Sequence, residues 1–593
     1  MHFFFVFKKK NHYEKVSPHL ISNTSDLLKS SSQCSFMSCS QTFSELIPST
    51  SFDMHTPKPT QNDVIFPNLS TLPGGYSMVE FALKNFHVPS NPRKRRRIQH
   101  PIQSPLLRHG PNDINRTVRQ AFIAIMRFMG DHAMSRGQTD VDCLYYLLKH
   151  MNKNRALIDE IMCQIIKQLT DNKSAKQDSM QLGWKLLAIV LNYFIPSENL
   201  RPYFIKYLND NIIQNEKLVQ LCLNHYEQTL KYGGRKNMPS KVEIDLLAAS
   251  GRHGGKRQIF LLPGGVPLTL KTTPSTVIAD CLNLACEQLH MSNSLEYDEY
   301  SIFIISTSEN PSRLLNPSEY LFDILSECVE SKMTDYYLII KRMLWFNIPM
   351  TFDNNDNSEM FIDFMYHQLV PELFEGTMIA IKDNHISDDL MRQLALMAAL
   401  YYRASNKIGL PSMREVKHLL PATVLKSKNI RPQVWTTTVH EELYSSVEAM
   451  TIMEAKLKFL TVIQTSSLFG VTFFPAQSVD DASIRSPCII GISKNGILFL
   501  DTDTRETLFS IPYNDVVSIR RRQNAIDVKY GSLNQPRHIQ CQVDRAQDLV
   551  ALAGRYLSFI GRSLASALER KTDSQQFHRP GSTSCNDPIS TIL

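Results

Sequence analysis

Leu157-Ile-Asp-Glu-Ile-Met-Cys-Gln-Ile-Ile-Lys-Gln168, followed by Gly183-Trp-Lys-Leu-Leu187 and Phe194-Ile-Pro-Ser197, is the stretch that decides how this chain is read. Leu157, Ile161 and Ile165 recur every four residues, which puts them on one face of a helix. Ala121, Ile125 and Met129 repeat that spacing upstream, and Leu186, Ile189, Val190 and Tyr193 share a face downstream. Pro196 stops one helix, and Ser197 suits the N-cap of the next. The pattern runs from about 112 to 230. Gly233-Gly-Arg-Lys-Asn-Met-Pro239 then breaks it. An all-α bundle is expected here.

From 257 the grammar changes. Gln258–Leu262, Pro263-Gly-Gly265 and Val266–Leu270 read as strand, turn and strand. A helix around 276–289 and strands at 300–306 and 336–342 complete an α+β unit of ubiquitin-like size. Residues from about 355 to 460 return to helical spacing, with Leu390, Leu394, Met397 and Tyr401 on one face. Beyond 470 short strands dominate. Ile489–Ile492, Asn495-Gly496 and Ile497–Leu500 give a hairpin signal, since Asn-Gly suits a type I′ turn. Strands near 507–511, 516–520, 525–530 and 537–543 precede a helix at 545–563 that buries Leu549, Leu552, Tyr556 and Ile560.

A second set of words lies about three hundred residues after the first: Glu454-Ala-Lys-Leu-Lys-Phe-Leu460 and Leu468-Phe-Gly-Val-Thr-Phe-Phe474. With Ser77–Phe86, Pro101–Leu107, Asn316-Pro-Ser-Glu-Tyr320, Leu344-Trp345, Tyr366-His-Gln368 and Gly376, the ordered set resembles the tandem MyTH4 and FERM modules of unconventional myosin tails. The family's Arg before its Asp-Glu pair is Ile158 here. The resemblance implies an all-α MyTH4 bundle at 73–250, then a three-lobed α+β FERM. Its lobes would be ubiquitin-like at 257–343, helical at 344–465 and a PH-like barrel closed by one helix at 466–565. Residues 1–72, rich in Ser, Asn, Thr and Pro, and the tail 566–593 read as flexible.

The chain ends Ser590-Thr-Ile-Leu593, the Ser/Thr-x-hydrophobic-carboxylate pattern read by PDZ domains. Such a tail adds a strand to a sheet edge, with Leu593 in an apolar pocket, Thr591 offering its hydroxyl and Ile592 between them. After a MyTH4–FERM pair, this ending makes the chain more similar to class XV than to class VII or X. The resemblance implies a protein cargo peptide and a PDZ scaffold as partners, with actin reached only through a motor. It also implies a cytoplasmic, cytoskeleton-associated location at the tips of actin protrusions. A motor would need a phosphate loop and several hundred further residues, so the stretch reads as a tail region.

Three basic groups are candidate anionic-partner sites. Lys231, Arg235 and Lys236 fall at the expected junction of the two modules, where the family receives cargo peptides; a structural interdomain role is the alternative. Arg520-Arg-Arg522 follows a strand, and three consecutive arginines cannot all point one way on it. A phosphoinositide or acidic-peptide site and plain solvent exposure both fit. A free edge near 507–520 fits peptide augmentation by family inference. Arg93-Lys-Arg-Arg-Arg97 fits a solvated loop, an acidic membrane or microtubule contact, or an import signal. Alternatives to the myosin reading are a motor-independent FERM linker between membrane and cytoskeleton, and a microtubule-binding MyTH4–FERM protein.

Composition agrees with a binding protein. The 593 residues exceed one core, and 43% hydrophobic with 20% charged residues is ordinary for globular protein. Of the formal +7, five charges belong to Arg93–Arg97, leaving +2 and no broad field for nucleic acid. The eleven cysteines are scattered without a C-x-x-C pair, so reduced thiols are expected and no metal or cofactor site. No apolar run approaches the roughly 18 residues that span a bilayer. Gly251-Arg-His-Gly-Gly-Lys-Arg257 is too short for a phosphate loop and has Arg257 where Ser or Thr would hold Mg²⁺. With no G-x-S-x-G, H-E-x-x-H or kinase set, no enzyme activity is expected.

Overall fold

The computed structural model describes residues 76–87, 100–108, 113–247, 255–289, 291, 294–306, 313–333, 335–346, 356–376, 378–381, 385–426, 430–532 and 534–576. The Arg93–Arg97 run and Thr591, Ile592 and Leu593 lie outside them. The chain divides into two units. One contains the described residues up to Met291 together with Ile302–Ile340; the other contains those of 292–301 and everything from Lys341 onward.

The first unit begins with helices α1 (Met78–Asn85), α2 (Asp113–Phe128), α3 (Asp140–Lys153), α4 (Ala156–Leu169), α5 (Ser179–Leu191), α6 (Arg201–Tyr232) and α7 (Lys241–Leu247). Every position expected on an inner face is buried: Ala121, Ile125, Met129, Leu157, Ile161, Ile165, Leu186, Ile189, Val190 and Tyr193. Helix α5 is apolar apart from Ser179, Gln181 and Lys185, and Leu187, Ala188 and Leu191 are buried as well, which places most of it inside the bundle. Trp184 stacks on Tyr207 at 5.9 Å within this core.

The Asp-Glu pair of α4 is architectural. Glu160 is fully buried, and its two carboxylate oxygens accept the Leu106 and Leu107 amides at 2.9 and 2.8 Å. They pin the 100–108 segment, whose Leu107 bridges to Phe86. Asp159 accepts the amide and the hydroxyl of Ser197. Ser197 is therefore tied to α4 and does not cap α6, which starts at Arg201 after Leu200 with Pro202 in its first turn.

The same unit continues into a five-stranded sheet of β1 (Lys256–Leu261), β2 (Pro267–Thr272), β3 (Tyr300–Ser306), β4 (Arg313–Leu314) and β5 (Tyr336–Arg342), in the order β2-β1-β5-β3-β4, except that the first two residues of β3 and the last two of β5 fall in the other unit. Between the strands run α8 (Ile278–Gln288) and α9 (Leu321–Glu330). β1 and β2 form an antiparallel hairpin and β1 runs parallel to β5, a ubiquitin-like arrangement.

The second unit holds helices α10 (Asp356–Phe374), α11 (Asp388–Ala404), α12 (Met413–Leu419), α13 (Ala422–Leu425), α14 (Pro432–Glu442) and α15 (Ile452–Ile463). The Glu454–Leu460 word explains itself here. Glu454 accepts the Thr451 amide in a capping box, Lys456 pairs with Asp363 of α10 at 2.6 Å, and buried Phe459 meets Tyr366 edge-on. Gln368 clamps the end of β5, exchanging hydrogen bonds with both backbone groups of Arg342 at 2.9 and 2.8 Å.

Strands β6 (Thr472–Val479), β7 (Cys488–Ser493), β8 (Gly496–Leu500), β9 (Thr507–Pro512), β10 (Val516–Arg522), β11 (Ala525–Tyr530) and β12 (Arg537–Val543) form one antiparallel sheet, β10-β11-β12-β6-β7-β8-β9. Helix α16 (Ala546–Gln576) follows and buries Leu549, Leu552 and Tyr556 against it. The β7–β8 hairpin differs from a type I′ Asn-Gly turn. Ser493 pairs with Gly496, so Lys494 and Asn495 are the loop, and neither adopts a positive φ. Gly496 is needed for a different reason: a Cβ there would lie 2.2 Å from the Ile511 carbonyl oxygen on β9.

His225 supplies a pH test of the bundle. Its ring is buried, Nδ1–H donates to the Ala188 carbonyl at 2.8 Å, and burial lowers its pKa from 6.5 to about 4. Below pH 6.5 the unfolded chain therefore binds a proton that the folded chain refuses, until about pH 4. The stability lead of the parent over His225→Gln should shrink by about 3 kcal/mol between pH 7 and pH 4, measured by denaturant unfolding.

Candidate partner-binding site

The junction between the helical bundle and the ubiquitin-like fold is built on a turn that only glycine permits. Helix α6 ends at Tyr232 and Gly233 follows with φ +86°. A Cβ on Gly234 would sit 1.9 Å from the Tyr193 carbonyl oxygen, so the chain passes against the end of α5 at backbone contact. Arg235 is thereby carried inward, its amide donating to the Asn192 carbonyl at 3.0 Å.

The Arg235 side chain is fully buried between two carboxylates. Nη1 meets Glu243 of α7 at 2.8 Å, and Nε and Nη2 each meet Asp323 at 2.9 Å. Asp323 lies in the first turn of α9, where the helix dipole also favours its charge. Its other oxygen accepts the Lys236 amide at 2.8 Å, and its carbonyl accepts from Asn237 at 3.1 Å. Around this centre Tyr320 donates to the Gly233 carbonyl at 2.7 Å, and Gln228 of α6 donates to Asp280 of α8 at 2.7 Å. Tyr145 and Tyr193 donate to the Pro239 and Asn237 carbonyls.

These contacts sort the three basic candidates at the junction. Arg235 is a structural residue, with its charge consumed inside the protein. Lys231 and Lys236 are exposed beside it, Lys231 lying 4.8 Å over the Tyr232 ring. Asp323, Glu243 and Asp280 were missed by the sequence reading, because acidic residues in short helices carry no spacing signal. Tyr320 belongs to the quoted Asn316–Tyr320 word, and its hydroxyl is the reason that word reaches the junction.

In the second unit, Arg520, Arg521 and Arg522 occupy the exposed end of β10, an edge strand of the seven-stranded sheet. Arg521 donates to Gln547 of α16 at 2.7 Å and to the Gln523 carbonyl at 3.1 Å, while Arg522 pairs with Asp527 at 3.2 Å. Arg520 lies opposite Asp527 in the β10–β11 register. The other edge strand is β9. Among the described residues, no group of three or more His, Cys, Asp or Glu could hold a metal ion, and no helix is long and apolar enough to cross a membrane.

Comparison with known proteins agrees with this architecture. The MyTH4 domain model matches residues 144–246 and the PTB domain (IRS-1 type) model matches 476–561. Human unconventional myosin-XV is 30% identical over 526 residues, covering 84% of this chain and 14% of that protein. The chain is a MyTH4–FERM tail region of the unconventional-myosin kind. It spans only that 14% of its relative's length. The fold matches the human Myosin 7b C-terminal MyTH4-FERM domain in complex with harmonin-a PDZ3 domain (TM-score 0.55, 21% identity, 82% of this chain and 97% of that one). It also matches the Dictyostelium discoideum Myosin VII MyTH4-FERM MF1 domain (TM-score 0.58, 19% identity, 82% and 97%).

The junction of this MyTH4–FERM region is open to direct test. Asp323→Ala leaves Arg235 buried beside one carboxylate and should lower stability by about 3–5 kcal/mol. Calorimetry should then separate the bundle and the ubiquitin-like fold into two transitions. Asp323→Asn, which keeps an acceptor, should cost less.

Proposed function

We propose that this region tethers cargo in a bivalent way. The MyTH4 bundle and the ubiquitin-like lobe present one composite surface to an acidic cargo segment, received beside Lys231 and Lys236. Thr591, Ile592 and Leu593 engage a PDZ scaffold protein. The observation that carries the reading is the buried Arg235–Asp323–Glu243 centre. It fixes two folds to each other, which a composite binding surface requires and two beads on a string do not supply. The complex of the related myosin 7b region with a PDZ domain supports a PDZ partner.

In this proposal the MyTH4 domain spans 73–250 and the FERM lobes 257–343, 344–465 and 466–565; the expectation of a flexible stretch from 566 is corrected as far as Gln576, because α16 continues through it. The free edge of β10, with Arg520–Arg522 at its end, offers a second place for a peptide strand. Two modest sites on one chain reach high avidity when the linker lets both bind at once. Joined to a motor, such a tail would hold scaffolds at the tips of actin protrusions. The function is binding, not catalysis.

Binding of the 565–593 peptide to a panel of PDZ domains tests the scaffold arm. Affinity in the micromolar range is expected, lost on Leu593→Asp or C-terminal amidation, since both remove what the pocket and the backbone amides read. Binding that survives both controls would contradict the PDZ reading.

A further inference from the structure

The turn that joins α14 to α15 exposes an aromatic ring in an acidic setting. Helix α14 ends at Glu442 and passes into a single π-helical turn, Leu443–Val447, closed by the Glu448 amide donating to the Leu443 carbonyl at 2.8 Å. Leu443 and Val447 are buried. Tyr444, between them, is 79% exposed. Among the described residues it is the one exposed tyrosine; every other described tyrosine is buried or half-buried.

Little regular structure has to be disturbed to free this ring. A π turn is rare, and single turns of this kind gather at functional sites. Residues 448–451 are turn and loop, and α15 begins only after Thr451 caps it. Two contacts from outside hold the turn in place. Arg403 of α11 donates from Nε to the Met450 carbonyl at 2.6 Å, and His440 of α14 donates from Nε2 to the Pro411 carbonyl at 2.7 Å. Opening 443–451 breaks the first of these and leaves the body of α14 as it is.

Charge identifies what reads it. From Pro432 through Ala455 the sequence carries four glutamates, Glu441, Glu442, Glu448 and Glu454, and no Lys or Arg. Glu454 is engaged in the α15 cap. Glu441 and Glu442 stand three and two residues before Tyr444, Glu448 stands four after it, and Glu441 and Glu448 are exposed. An exposed phenol preceded by glutamates suits a tyrosine kinase whose substrate groove is basic. Tyr13, outside the described residues, follows Lys8-Lys-Lys10 instead and offers such a groove the wrong charge.

We propose that Tyr444 is a phosphate acceptor for an acid-directed tyrosine kinase, and that its phosphate opens the turn between α14 and α15. The phenol oxygen attacks the γ-phosphorus of ATP. The Oη–P bond forms, the bond to the β-phosphate oxygen breaks, ADP leaves, and the phenolic proton passes to the kinase's catalytic carboxylate. The product carries a charge of about −1.5 to −2 where a neutral hydroxyl stood. In the closed turn this charge stands at the C-terminal end of α14, where the helix dipole disfavours an anion. It also stands within about one turn of Glu441 and Glu448. Both repulsions are relieved when 443–451 lifts away and Arg403 releases the Met450 carbonyl. The proposal rests on neither the PDZ nor the cargo reading.

Incubation of the full chain with Mg-ATP and a soluble tyrosine-kinase domain active on poly(Glu,Tyr) tests it, with the modified residues mapped by mass spectrometry. Tyr444 should take up phosphate about tenfold faster or more than any other tyrosine, Tyr13 included, because buried rings react only after larger openings. Tyr444→Phe should remove that uptake. Glu441→Gln/Glu442→Gln should slow it several-fold with thermal unfolding unchanged. In the phosphorylated chain the amides of 443–451 should exchange with solvent about tenfold faster or more, while those of β7 and β8 keep their rates. No uptake at Tyr444, faster uptake at another tyrosine, or uptake indifferent to the two glutamine substitutions would overturn the acceptor site. Exchange at 443–451 that is unchanged, or slowed by a new phosphate–arginine pair, would overturn the opening.

Discussion

A buried guanidinium holds this protein's first unit together. Arg235 has no exposed side-chain surface, and its charge is balanced by Glu243 from the helical bundle and Asp323 from the ubiquitin-like fold. Such a centre is costly to desolvate and costlier to break, because losing one partner leaves the rest charged in a dry site. Its value is therefore geometric. It forces the bundle and the sheet into one arrangement, and the Gly233-Gly234 turn, the Tyr320 hydroxyl and the Gln228–Asp280 bond all follow from that placement.

Two other buried charged groups also hold backbone in place. Glu160 grips two amides of the 100–108 segment, and Arg342 lies buried with Glu299 near the end of β5. Charged groups that reach solvent include Lys231 and Lys236 beside the junction and the arginines at the end of β10. Buried charges spent on backbone and charged residues left at the margins suit a MyTH4–FERM region of the unconventional-myosin kind.

Much of this was legible in the sequence, where a pattern repeats over many residues. The faces of α2, α4 and α5, the strands β3 and β5, and the burying face of α16 follow from spacing alone. Single residues whose role depends on tertiary contact were not legible. Ser197 looked like an N-cap, yet Asp159, 38 positions away in sequence, takes both its donors. Asn495-Gly496 looked like a turn, yet the glycine answers to a neighbouring strand. For Lys231, Arg235 and Lys236 the sequence left a cargo patch and a structural interdomain role open, because nothing local separates Arg235 from its neighbours; only Asp323, 88 residues on, assigns Arg235 to the second.

The account stands most directly on whether the bundle and the ubiquitin-like fold behave as one body. Native-state hydrogen exchange of the full chain, followed across low denaturant concentrations, answers this. If the Arg235 centre joins them, core amides of α5, α6, β1 and β5 should lose protection together, with a common free energy and denaturant dependence. Strand amides that open well before the helices, while the bundle stays protected, would contradict it.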